Sequence, residues 1–150
     1  MAMDKSESAY LPEVLPKATP APDGRDKEFW EALNRHQIVV QRCNSCGTLQ
    51  MEPEWLCHKC HSFDRGWQQV SGRGHIYSWV RIWHPTPRAL QDSCPYLVVL
   101  VELPDANNLR IAGNLLGDPH QEVEIGAPVE AVFEDHKERG YTLLQWRLDR

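Results

Sequence analysis

A chain of 150 residues with a formal net charge of -5 and 41% hydrophobic residues is sized for one small domain with an appendage. The acidic balance argues against a general nucleic-acid binder, which needs a basic face. No stretch reaches the roughly 20 apolar residues that span a bilayer, and the N-terminus lacks the apolar core of a secretory signal. A cytoplasmic location away from any membrane is therefore expected, with reduced thiols, so closely paired cysteines point to metal before disulfide.

Residues 1–25 are rich in proline, alanine and acidic side chains. Such a segment buries little apolar surface against its ordering entropy and reads as an extended or disordered arm. Residues 26–36, "DKEFWEALNRH", predict a short helix with Asp26 as N-cap, acids early and bases late. Phe29, Trp30 and Leu33 share one face. Three turns do not stand alone in water, so that face must dock, either on its own domain or on a partner.

The stretch from Cys43 to Cys60 gives C-x2-C-x10-C-x2-C. Each knuckle turns tightly enough to aim two thiolates at one ion, and ten residues suffice for a short hairpin that returns the second pair. Cys43, Cys46, Cys57 and Cys60 would saturate one tetrahedral zinc per chain and leave no open position, which makes the site structural. Spacing alone does not separate zinc from iron in a rubredoxin-like site. His58 and His61 flank the second knuckle and read as solvated side chains.

Beyond residue 63 the pattern changes to period two. Strands are predicted in "GRGHIYSWVRIWH", "YLVVLVEL", "LRIAGNLL", "PVEAVFE" and "YTLLQWRL", separated by turn-forming "PDANN", "GDPH" and Gly126. In the first, Ile76, Ser78, Val80 and Ile82 would face one way and His75, Tyr77, Trp79, Arg81 and Trp83 the other. The second is apolar nearly throughout, as for a strand covered on both sides. Five strands in about 85 residues suit a Greek-key barrel of the OB-fold type. The expected fold is thus mainly β: an N-terminal helix and zinc ribbon over 26–63, then a five-stranded OB-fold over 64–150.

The row Tyr77, Trp79, Arg81, Trp83 admits three readings: internal cover, a protein interface, or a base-stacking platform. No G-x-S-x-G, H-E-x-x-H or P-loop is present, which argues against independent catalysis. Cys94, before Pro95, reads as a small packed thiol. The loop "RIWHPTPRALQDSCPY" carries Arg81, Trp83, His84 and Arg88, chemistry suited to phosphates and an adenine ring.

"FWEAL", "QRCNSCG", "EPEWLCHKC", "GRGHIYSW", "PYLVVLVELPD" and "IGAPVEAVFE" follow one another over residues 26–148. In this order they resemble the zinc-ribbon plus OB-fold family of acyl-CoA-associated proteins long labelled domain-of-unknown-function family thirty-five. The resemblance implies a non-catalytic accessory subunit of a heteromeric acyl-CoA enzyme. Its partner would be a thiolase, retro-aldolase or related thiolase-fold subunit that carries the reacting groups. Arg81, Trp83, His84 and Arg88 would then border the CoA channel, and Phe29, Trp30, Tyr77 and Trp79 the partner. The alternative is a nucleic-acid-binding adaptor, since both modules occur in such proteins.

Overall fold

The computed structural model describes residues 20–86 and 88–149; the expectation for residues 1–19 lies outside them. Helix α1 spans Lys27–Asn34. Asp26 precedes it but does not cap through its side chain. Its carboxylate instead accepts the Asp23 N–H and the Trp30 indole N–H, at 2.9 and 3.0 Å. The helix stops two residues before the predicted end because His36 turns left-handed (φ 56°) and sends the chain back along it.

Phe29, Ala32 and Leu33 are buried, and α1 packs on β1 (Ile38–Cys43) and β8 (Tyr141–Leu148). The apolar helix face is thus covered by the chain itself. Asn34 donates to the Gly140 carbonyl. His36 Nε2 meets both Asp135 oxygens at 2.9 and 3.0 Å and stacks on Phe133.

Two sheets follow. The first is β2–β1–β3, antiparallel, with β2 at Leu49–Gln50 and β3 at Arg65–Val70. The second holds β4 (Arg73–Ile82), β5 (Tyr96–Leu103), β6 (Leu109–Asn114), β7 (Pro128–His136) and β8 in the order β6–β5–β4–β7–β8. A parallel bridge from Leu115 to Trp146 brings β6 against β8 and nearly closes the five strands into a barrel. This is the topology expected of an OB-fold. Ile76, Leu97, Val99, Val101, Ile111, Val129 and Trp146 fill the interior.

The predicted alternation along β4 fails at one place. Pairing with β5 runs Ile76 with Val101 but Ser78 with Leu100, leaving Tyr77 as an unpaired bulge residue. A bulge adds one residue to one strand and shifts every later side chain to the opposite face. Trp79 and Arg81 therefore sit opposite the buried Val99 and Leu97, whereas Val80 turns to solvent at 48% exposure. The expected flat row of Tyr77, Trp79 and Arg81 does not exist. Nor is β5 covered on both sides: Leu97, Val99, Val101 and Leu103 are buried, and the residues between them are only half-buried.

Candidate metal centre

The two knuckles repeat one design. The Gly47 N–H bonds the Cys43 carbonyl and the His61 N–H bonds the Cys57 carbonyl, both at 2.9 Å. Gly47 and His61 both take left-handed backbone, φ 73° and 60°. The first cysteine of each pair donates its N–H to the carbonyl five residues on, Thr48 or Ser62. Cys43 and Cys57 are buried, while Cys46 and Cys60 face outward. The Ser45 and Ser62 hydroxyls join the knuckles at 2.8 Å.

The four sulfurs lie within 4.8 Å of one another, with Cys43–Cys60 at 3.5 Å and Cys46–Cys57 at 3.6 Å. Four sulfurs at ~2.3 Å from a tetrahedral ion are about 3.8 Å apart, so the cluster fits one ion with little adjustment. Without an ion the four thiols differ in acidity. The Thr48 hydroxyl and N–H hold the Cys46 thiol down at about 6. Backbone N–H groups of Cys60 and Lys59 lower Cys57. At Cys60 the Ser62 N–H favours the thiolate, but the sulfur of Cys46 and burial outweigh it and push the thiol up to about 12. Several thiolates cannot share so small a volume without a cation among them. With all four ligands supplied by protein, the ion closes the ribbon and leaves no position for substrate. His58 and His61 lie outside the cluster.

The surroundings explain how the ribbon is held. Gln41 is fully buried, and its Oε1 accepts the Glu54 N–H at 2.8 Å. Gln50, paired with it across β1–β2, binds the Leu56 carbonyl and the His58 N–H. Two buried amides thus tie down the 51–58 loop. Arg65 donates to the carbonyls of Gly24, Arg25 and Glu54 and lies over the rings of Trp55 and Trp67. It fastens the approach to α1 onto the ribbon. Sequence reading missed all three residues; an arginine between two tryptophans was the available signal.

The remaining expected site residues are dispersed. Arg81 is engaged, donating to the Pro119 and Gln121 carbonyls at 2.9 and 2.6 Å beneath Trp79. Trp83 is half exposed and lies 5.7 Å from the His120 ring. His84 and Arg88 face solvent. Phe29 is buried in the core cluster, Trp30 packs at its edge, and Tyr77 lies on the outside under the Arg110 guanidinium, 3.5 Å from the ring centre.

Known proteins share this arrangement. Residues 30–64 match the ChsH2 rubredoxin-like zinc ribbon domain, and residues 67–134 match the ChsH2 C-terminal OB-fold domain. A probable enoyl-CoA hydratase alpha subunit of Thermomonospora curvata is 40% identical over 120 residues, covering 78% of this chain; the chain spans only 36% of that protein. A DUF35 domain-containing scaffold protein of Methanocaldococcus jannaschii is 31% identical over 121 residues, 77% of this chain and 84% of that one. The solved Ltp2-ChsH2(DUF35) aldolase contains a chain that is 33% identical, with TM-score 0.75, covering 87% of this chain and 98% of its own length. The ribbon, the barrel and their order place the chain in the DUF35 family, in the ChsH2-type pairing of a zinc ribbon with an OB-fold.

Proposed function

We propose that the chain is the non-catalytic accessory subunit of an acyl-CoA enzyme that makes or breaks a carbon–carbon bond, working beside a thiolase-fold aldolase subunit. The observation that carries this reading is the likeness, over almost the whole of its length, to the DUF35 chain of an aldolase assembly. The chemistry of the described residues supports it. The metal site is closed, and no nucleophile stands next to a base in a cleft, the pattern that independent catalysis requires. Cys43, Cys46, Cys57 and Cys60 would hold a zinc that supplies folding free energy alone.

The Trp83–Arg88 turn is the part of the chain suited to a CoA ester. Trp83 offers a face for adenine, and Arg88 a fork for phosphate; Arg81 serves the loop beneath instead. A nucleic-acid role loses its basis with the aromatic row, since Trp79 and Arg81 turn inward.

The test is reconstitution of this chain with the thiolase-fold aldolase subunit of its host. A stable stoichiometric complex is expected that cleaves an acyl-CoA aldol substrate, with no turnover by the chain alone. Turnover by the metal-replete isolated chain, or failure of the two to associate, would refute the reading.

A further inference from the structure

Between the polar row of His75, Glu102 and Arg110 and the edge residue Asn114, the outer face of β4, β5 and β6 has an apolar middle, where an antiparallel strand open to water is ordinarily polar. Cross-strand pairing sets Ile82 beside Tyr96, Val80 beside Val98, and Ser78 beside Leu100, which in turn pairs with Ala112. None of these packs against the core cluster, and α1 lies elsewhere, on β1 and β8. The charges that border the face neutralise each other: Arg110 bonds Glu102 at 3.1 Å and covers Tyr77.

We infer that this face is the seat of the catalytic partner, a protein surface that is flat, apolar and uncharged where it meets Val80, Val98 and Leu100. The inference rests on the proposed accessory role. Area and charge choose the occupant. Three strands about 4.8 Å apart, over six residues of about 3.3 Å rise, give on the order of 300 Å². Two copies of the chain stacked face to face would bury about 600 Å² in total, well short of the ~1,200 Å² at which stable interfaces begin. A larger partner can continue past the edge of the sheet and reach that area. Among the described residues of the face the cation, Arg110, is already paired with Glu102, which leaves the face itself little for phosphate backbones or anionic lipid to bind. The bulge at Tyr77 is what delivers Val80 and Ile82 to this side.

The test compares the wild type, V80E/A112E and R139E, each titrated with the host's thiolase-fold aldolase subunit by calorimetry. Val80, Ala112 and Arg139 are all exposed, so all three proteins should keep their zinc and melting temperature. The expected result is at least a tenfold loss of affinity for V80E/A112E and none for R139E, whose added negative charge lies elsewhere. Affinity of V80E/A112E within threefold of wild type would overturn the inference while leaving the accessory role intact. Equal loss in R139E would overturn it as a general charge effect. Dimerisation of the wild type abolished in V80E/A112E would assign the face to a second copy instead. Failure of the wild type to bind would strike the accessory role itself, and the inference with it.

Discussion

Replacing Gly113 by alanine should strain the seam of the barrel. Gly113 lies in β6, opposite Val99 and next to the place where Leu115 meets Trp146. A methyl group there would stand 2.8 Å from Trp146 Cδ1, 2.9 Å from its Nε1 and 2.9 Å from the Leu144 carbonyl oxygen. Comfortable carbon contacts need about 3.5–4.0 Å, so the methyl would be too close on two sides, to the Trp146 ring and to the Leu144 carbonyl. Relief is not at hand: Trp146 is fully buried, and the carbonyl belongs to β8. Overpacking of this kind costs about 1–3 kcal/mol. Alanine is otherwise favoured over glycine within a strand by about 0.5–1 kcal/mol, which leaves a net loss centred on about 1 kcal/mol and at most about 2.5. Urea unfolding followed by far-UV circular dichroism should show a lower midpoint with an unchanged slope, and the zinc content should not change. Equal or greater stability in G113A would refute the packing assigned to Trp146.

Replacing any one of Cys43, Cys46, Cys57 and Cys60 by serine should abolish the single bound zinc, read by elemental analysis. Amide exchange should then rise across residues 43–64 before it rises in β5; stoichiometric iron in the wild type would displace zinc from the assignment. Asp135 has its pKa held below the ordinary carboxylate value, first by the His36 ring and then by the Thr142 hydroxyl. A depressed folded pKa contributes stability that is present above the unfolded value of 3.8 and lost as pH falls through the folded one. The stability gap between wild type and D135N should thus close below about pH 4; a gap that persists in acid would contradict the pairing. In the reconstituted complex, R88A should raise the apparent KM for the CoA ester, by about 1–3 kcal/mol for a lost charge-assisted contact. R81A should instead lower the melting temperature by releasing the Pro119 and Gln121 carbonyls. Unchanged kinetics in R88A would remove the turn from the substrate path.

Spacing made the metal centre legible, because few arrangements of four cysteines in eighteen positions do anything else. The barrel strands were legible for a comparable reason: apolar Val129, Ala131 and Phe133, or Leu144 and Trp146, recur at every second position of the sequence, although Gln145 between the last two is buried as well. The third strand of the ribbon sheet was not. Its sequence "RGWQQV" has neither alternation nor β-branched residues until its last position, and it becomes a strand because β1 offers it a ladder. The burial of Gln41 and Gln50 was equally hidden. Glutamine is seldom buried, and only the loop they tie down, distant by 8 to 13 residues, explains it. The left-handed turn at His61 followed from the metal geometry of the second knuckle, whereas Gly47 announced its counterpart.

The unpaired residue in β4 acts on the strand as a frameshift acts on a message: everything downstream is read on the other side. Removing Tyr77 would restore strict parity without turning the strand: Ser78 would follow Ile76 directly, and Trp79 and Arg81 would still face Val99 and Leu97. Two homologues differing by that one position would keep the same fold, metal site and outer face, because the bulge absorbs the extra residue. A sequence alignment that places the gap elsewhere in β4 exchanges the inside of the barrel for its outside over the residues between.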